Sequence, residues 1–130
     1  MSSNTPNSLD LASLIANMAE QKKSLQTTVL DTHQVSTFAD YFVICTTDSA
    51  VQTKTLMDAI EGILKREYGI EAIGKERDRQ GTWCLLDYGD VIVHVMHRQA
   101  HDYYQLEQFW NHAKVLPLQS WQHKKWSQAS

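Results

Sequence analysis

The chain has 130 residues, is 42% hydrophobic and 21% charged, and carries a formal net charge of -3 with a sequence pI near 6.0. That length fits one domain whose core needs no staples, and the composition is that of a globular protein rather than a disordered one. A mildly acidic chain lacks the basic face that binding held mainly by phosphate contacts requires. The longest apolar run, Tyr41–Cys45, is far too short to cross a bilayer.

Residues 1–7 are polar, include Pro6 and read as a disordered leader. A helix is expected next, because Leu11, Leu14, Ile15 and Met18 recur at helical spacing and Ser8 is placed to cap it. Thr27–Asp31 reads as a short strand and His33–Thr37 as a loop. Tyr41–Cys45, apolar without alternation, reads as a strand covered on both faces. Ser49 with Gln52 forms a capping box, and Leu56, Met57, Ile60, Ile63 and Leu64 form one stripe. Gly69 supplies a left-handed stop, so a helix is predicted over Ala50–Tyr68.

Ile70–Ile73 is predicted as a further short strand, and the charged stretch Gly74–Gly81 as a solvated loop. An RNA-binding role for that loop is disfavoured, because Glu76 and Asp78 nearly cancel Lys75, Arg77 and Arg79. Thr82–Asp87 and Val91–Met96 read as a hairpin joined at Tyr88-Gly89-Asp90, with Gly89 free to take the positive φ of a tight turn. A last helix is expected over Gln99–Ala113, carrying Tyr103, Leu106 and Trp110 on one stripe. Lys114–Ser130 reads as a tail, draped on the domain or ordered by a partner. The expected architecture is therefore one α/β domain over residues 8–113, a mixed five-stranded sheet with flanking helices.

Candidate chemistry is sparse. Cys45 and Cys84 lie in apolar runs with no CxxC spacing, so they read as buried, reduced thiols. His94, His97 and His101 spell HxxHxxxH, but they span the exit from a strand and lack the glutamate of a zinc-protease helix. His94 interrupts an apolar strand, and two readings stay open: a half-buried histidine satisfied by a neighbour, or part of an exposed binding face. Asp87 and Asp90 flank the hairpin turn. They suit local turn hydrogen bonds or, alternatively, a divalent metal in an enzyme. The start of the long helix, Thr46-Thr47-Asp48-Ser49, offers amides to an anion, although Asp48 would repel one. No Walker loop, GxGxxG or GxSxG is present. By contrast, Trp83, Tyr88, Tyr103, Tyr104 and Trp110 concentrate aromatic area in the last third, as protein contact surfaces do. The first basic residue is Lys22, unlike a signal or transit peptide, so the expected compartment is the cytoplasm.

Three ordered segments resemble one family: Asp40–Thr46, then Trp83–Met96, then Tyr103-Tyr104-Gln105-Leu106-Glu107 with Trp110. The family is the ribosomal silencing factors, also called Iojap-like proteins, and the resemblance runs over about Leu9 to Ala113. It implies a nucleotidyltransferase-like shape without catalysis and no cofactor. It also implies binding to the large ribosomal subunit through its universal fourteenth protein, and hence a steric block to subunit joining that damps translation. A homodimer is implied for the free protein. Carried over by position, the contact surface would hold Trp83, Asp87, Tyr88, Tyr104 and Leu106, with His94 and Glu107 nearby. Three features depart from the family's pattern: the pairs Thr47-Asp48 and Ile73-Gly74, and the tail after Ala113. In the tail, Lys124 and Lys125 beside Trp121 and Trp126 suit either a peripheral rRNA contact or docking onto the domain. The enzyme alternative is a divergent nucleotidyltransferase-like protein using Asp87 and Asp90 with a divalent metal.

Overall fold

The structure is a computed structural model that describes residues 7–34, 39–99 and 114–116. Helix α1 spans Ser8–Gln21. Its cap is Asn7, not Ser8: Asn7 is extended, with φ -70° and ψ 171°, and its Oδ1 accepts the Asp10 amide at 2.8 Å. Ser8 is instead the first helical residue, and its hydroxyl donates to Asp40 at 3.3 Å. Strands β1 (Gln26–Asp31) and β2 (Tyr41–Thr47) follow. Helix α2 (Ala50–Tyr68) has the predicted bounds. Ser49 Oγ accepts the Gln52 amide at 3.1 Å, while the Gln52 side chain reaches back one residue further than a standard box, to the Asp48 amide at 2.6 Å. At the other end Gly69 turns left-handed with φ 67°, and Ile70 N–H closes onto Leu64 O at 2.9 Å.

The next strand lies where a loop was expected. Ile70–Ile73 forms no strand; β3 is Gly74–Arg77, inside the charged stretch. All four of its residues are exposed, so it has no buried face to impose an alternating pattern, and its charges suit a sheet edge that must resist stray pairing. Ile70 and Ala72 pack instead against the helix-side core. Only Asp78–Gly81 behaves as a turn. There the Asp78 carboxylate accepts the amides of Thr82 (2.7 Å) and Trp83 (3.0 Å) as well as the Thr82 hydroxyl. These bonds outweigh partial burial and hold the Asp78 carboxyl below its ordinary range.

Strands β4 (Trp83–Asp87) and β5 (Val91–His97) form the expected hairpin, with Gly89 at φ 87°. The last described strand, β6, is Lys114–Val115. The sheet order is β3-β4-β5-β2-β1-β6, with β2 and β5 parallel at its centre and every other pair antiparallel. Five strands form the expected mixed sheet. The sixth pairs Leu30 with Val115, so the first residues read as a tail complete one edge of the sheet.

Alternation divides the strands between two faces. Val29, Val43, Cys45, Cys84, Leu86, Val91, Val93 and Val95 meet α1 and α2 in the larger core. Leu30, Phe42, Ile44 and Met96 form a second buried cluster on the opposite face, with Trp83 and Ile92 packed at its margin. β2 is thus buried on both faces, as its sequence demanded. Cys45 and Cys84 are free and buried, and burial pushes the Cys45 thiol up to about 12. The helix predicted after Gln99 lies, from Ala100 on, outside the described residues. So do Tyr103, Tyr104, Leu106, Glu107 and Trp110, and the tail beyond residue 116.

Candidate functional site

The hairpin is pinned at both ends. Tyr88 N–H bonds Val91 O at 2.9 Å across the turn, and His97 N–H bonds Thr82 O at 2.7 Å at the open end. Its register sets Trp83 opposite Met96, Leu85 opposite His94 and Asp87 opposite Ile92. Trp83, Leu85 and Asp87 therefore share the face turned away from the two helices, where Glu76 of β3 lies opposite Leu85. Trp83 is half-buried and, with Leu85, Glu76, Arg77 and Asp78, lines an open groove along the β3 edge.

His94 takes the buried option of the two left open by sequence. It is 5% exposed, its ring lies 4.9 Å from that of Phe42, and its Nδ1 accepts the Trp83 indole N–H at 3.1 Å. Burial lowers its pKa from 6.5 to about 4, so at neutral pH it is an uncharged acceptor. Nε2 is also buried and has no hydrogen-bond partner among the described residues.

Tyr88 requires a correction. Placed on the contact surface by the resemblance, it is only 9% exposed and belongs to the helix-side core. Its hydroxyl is buried without a partner among the described residues, and burial, then Glu61, raises its pKa well above the ordinary phenol value. Strand parity contains the missed signal. Residues 83, 85 and 87 point one way and 84, 86 and 88 the other, and the turn bond of Tyr88 keeps it in that register.

Asp87 is partly exposed, and its Oδ1 accepts the Gly89 amide at 2.8 Å, the turn role that its position suggested. The main-chain carbonyl of Asp90 receives the amides of Asp40 (2.7 Å) and Tyr41 (3.1 Å), tying the hairpin turn to the start of β2. His94 and His97 lie on opposite faces of β5, and His97 Nδ1 accepts the Gln99 amide at 3.1 Å; His101 is outside the described residues. Among the described residues no group of three or more His, Cys, Asp or Glu converges as metal ligands do. At the start of α2 the amides of Asp48 and Gln52 are bonded to Gln52 Oε1 and Ser49 Oγ. Among the described residues no helix is long and apolar enough to cross a membrane.

A family model described as "Ribosomal silencing factor during starvation" matches residues 5–130 of the chain. The chain belongs to the ribosomal silencing factor family. A protein named ribosomal silencing factor RsfS from Halalkalibacterium halodurans is 34% identical over 110 residues, covering 85% of this chain and 93% of its own. The chloroplast protein Iojap of Zea mays is 28% identical over 110 residues, which span 85% of this chain and 47% of that longer one. The crystal structure of a Chromobacterium violaceum protein superposes with a TM-score of 0.77 at 31% identity, covering 86% of this chain and 91% of the other. The mixed sheet and the two helices of the described residues thus belong to a fold shared with a solved relative.

Proposed function

We propose that the chain represses translation without catalysis, in the cytoplasm, by binding the large ribosomal subunit at its universal fourteenth protein and standing where the small subunit must join. The observation that carries this reading is the family match over residues 5–130. Local chemistry supports it. Trp83 offers a rigid aromatic anchor with Leu85 beside it, and the carboxylates of Glu76, Asp78 and Asp87 outnumber the Arg77 guanidinium around them. Such an acid-rimmed apolar strip suits a basic ribosomal protein and would steer its approach. Tyr104, Leu106 and Glu107 would extend the surface, for a total burial of about 1,200–2,000 Å². Tyr88 is withdrawn from it, and His94 acts from beneath.

For the free protein we propose a homodimer that does not extend the sheet through β3. Two copies adding edge to edge about a two-fold axis would set Lys75 against Lys75 or Arg77, and Glu76 against Glu76. Like charges directly opposite destabilise strand pairing. The Gly89 amide bond to Asp87 Oδ1 supports the turn role of that carboxylate. The test is co-sedimentation with purified large subunits, then a light-scattering assay of subunit joining. Wild-type chain should bind and block joining, whereas a folded Trp83→Ala protein that binds as well as wild type would remove the mapped surface.

A further inference from the structure

The proposed surface depends on a side chain that it does not display. His94 lies in the second core cluster's face, diagonal to Trp83 across the β4–β5 register, with Phe42 against its ring. An indole N–H only donates, so the 3.1 Å contact fixes His94 Nδ1 as the acceptor and places the neutral ring's proton on Nε2. That Nε2 is buried with no partner among the described residues. A buried polar atom left unpaired costs stability that an apolar side chain of similar size would not. The imidazole is therefore a poor choice for packing alone. What it provides is an acceptor held rigidly at one point, aimed at the indole.

We infer that His94 is a positioning residue, which locks the Trp83 indole in the orientation that the docking face presents to the ribosomal protein. The inference rests on the proposed role of Trp83 as an anchor. A tryptophan fixed before contact loses less freedom on binding, and pre-organised aromatic anchors gain affinity in this way. His94 itself touches no partner. Its effect on binding is exerted through the indole alone.

The hydrogen bond is read directly in the unsubstituted chain, as a nitrogen–nitrogen NMR coupling between Trp83 Nε1 and His94 Nδ1. Its absence would overturn the inference even if every variant failed to fold. Three substitutions in the full chain then separate positioning from packing, with affinity for purified bacterial large subunits measured by co-sedimentation. His94→Leu should weaken binding about ten-fold, the scale of one lost hydrogen bond, shift the Trp83 indole resonance and leave the melting temperature unchanged or higher. In His94→Asn the side-chain oxygen branches from the same carbon as Nδ1, so binding should return to within about three-fold of wild type. His94→Gln displaces the acceptor by one bond and should resemble His94→Leu. Wild-type affinity in His94→Leu, or Asn no better than Gln, would refute the inference. Trp83→Ala distinguishes the two levels: if it binds as wild type does, the docking reading itself fails, whatever His94 does to the indole.

Discussion

The two faces of the sheet are made from alternate residues of the same strands, yet they are built to different rules. On the helix side Val43, Cys45, Leu86, Val91, Val93 and Val95 are wholly buried, small or branched, and apolar. The opposite face mixes Phe42, Ile44 and Met96 with a buried histidine, a half-exposed tryptophan and the carboxylates of Asp87 and Glu76. Apolar burial on one face holds the fold together, at about 1.5–3 kcal/mol per large side chain. The polar groups set into the other face reduce that gain, and in the proposed reading they serve recognition instead. The contrast lies within single strands: Cys84 and Leu86 pack, while Trp83, Leu85 and Asp87 face the other way.

Substitutions that act on one face alone sharpen this division. The largest effect is expected from Leu86→Ala, which opens a cavity in the helix-side core. It should cost about 2–5 kcal/mol in urea unfolding while leaving the subunit affinity of the folded fraction unchanged. Acid should act next, through His94. Its folded pKa of about 4 lies below the ordinary 6.5, so burial of the neutral ring carries no protonation penalty above pH 6.5, and the penalty grows, lowering stability, as pH falls toward 4. At about 1.4 kcal/mol per pH unit the loss is roughly 3 kcal/mol, and His94→Leu should remove this part of the pH dependence of unfolding. A pH profile identical in the two proteins would break the assignment.

On the binding side, Trp83→Ala should weaken subunit binding by about 2 kcal/mol or more, with a smaller loss of stability than Leu86→Ala. The smallest effect belongs to Tyr88→Phe. Removing a buried hydroxyl that has no partner among the described residues should change stability by about 1 kcal/mol at most, toward stabilisation, with subunit affinity unchanged. A ten-fold loss of binding in that variant would return Tyr88 to the contact surface.

The same division explains what sequence reading reached. Helix α2 was legible to the residue, because Ser49, Gln52 and Gly69 act through bonds that close within a few positions. β2 and the hairpin were legible because burial dictates an apolar pattern. β3 was not, since a strand exposed on every residue obeys no hydrophobic period. β6 is two residues long, too short for any pattern, and its place follows from pairing with Leu30 and Asp31 far away in sequence. Trp83 and Asp87, which the resemblance implies as contact residues, share a face. Tyr88, carried to the surface by the resemblance, is buried in the free chain because strand parity turns it to the helix side. His94 was undecidable from residues alone: its burial depends on Phe42, brought beside it by the parallel β2–β5 pairing.

The most direct test is subunit joining followed by light scattering, with large subunits first incubated with wild-type or Trp83→Ala protein, each shown to be folded. The expected result is that wild type sediments with the large subunit and suppresses joining, while Trp83→Ala sediments weakly and joining recovers. Suppression by Trp83→Ala equal to that of wild type would contradict the assignment of the Trp83 face as the surface that silences the ribosome.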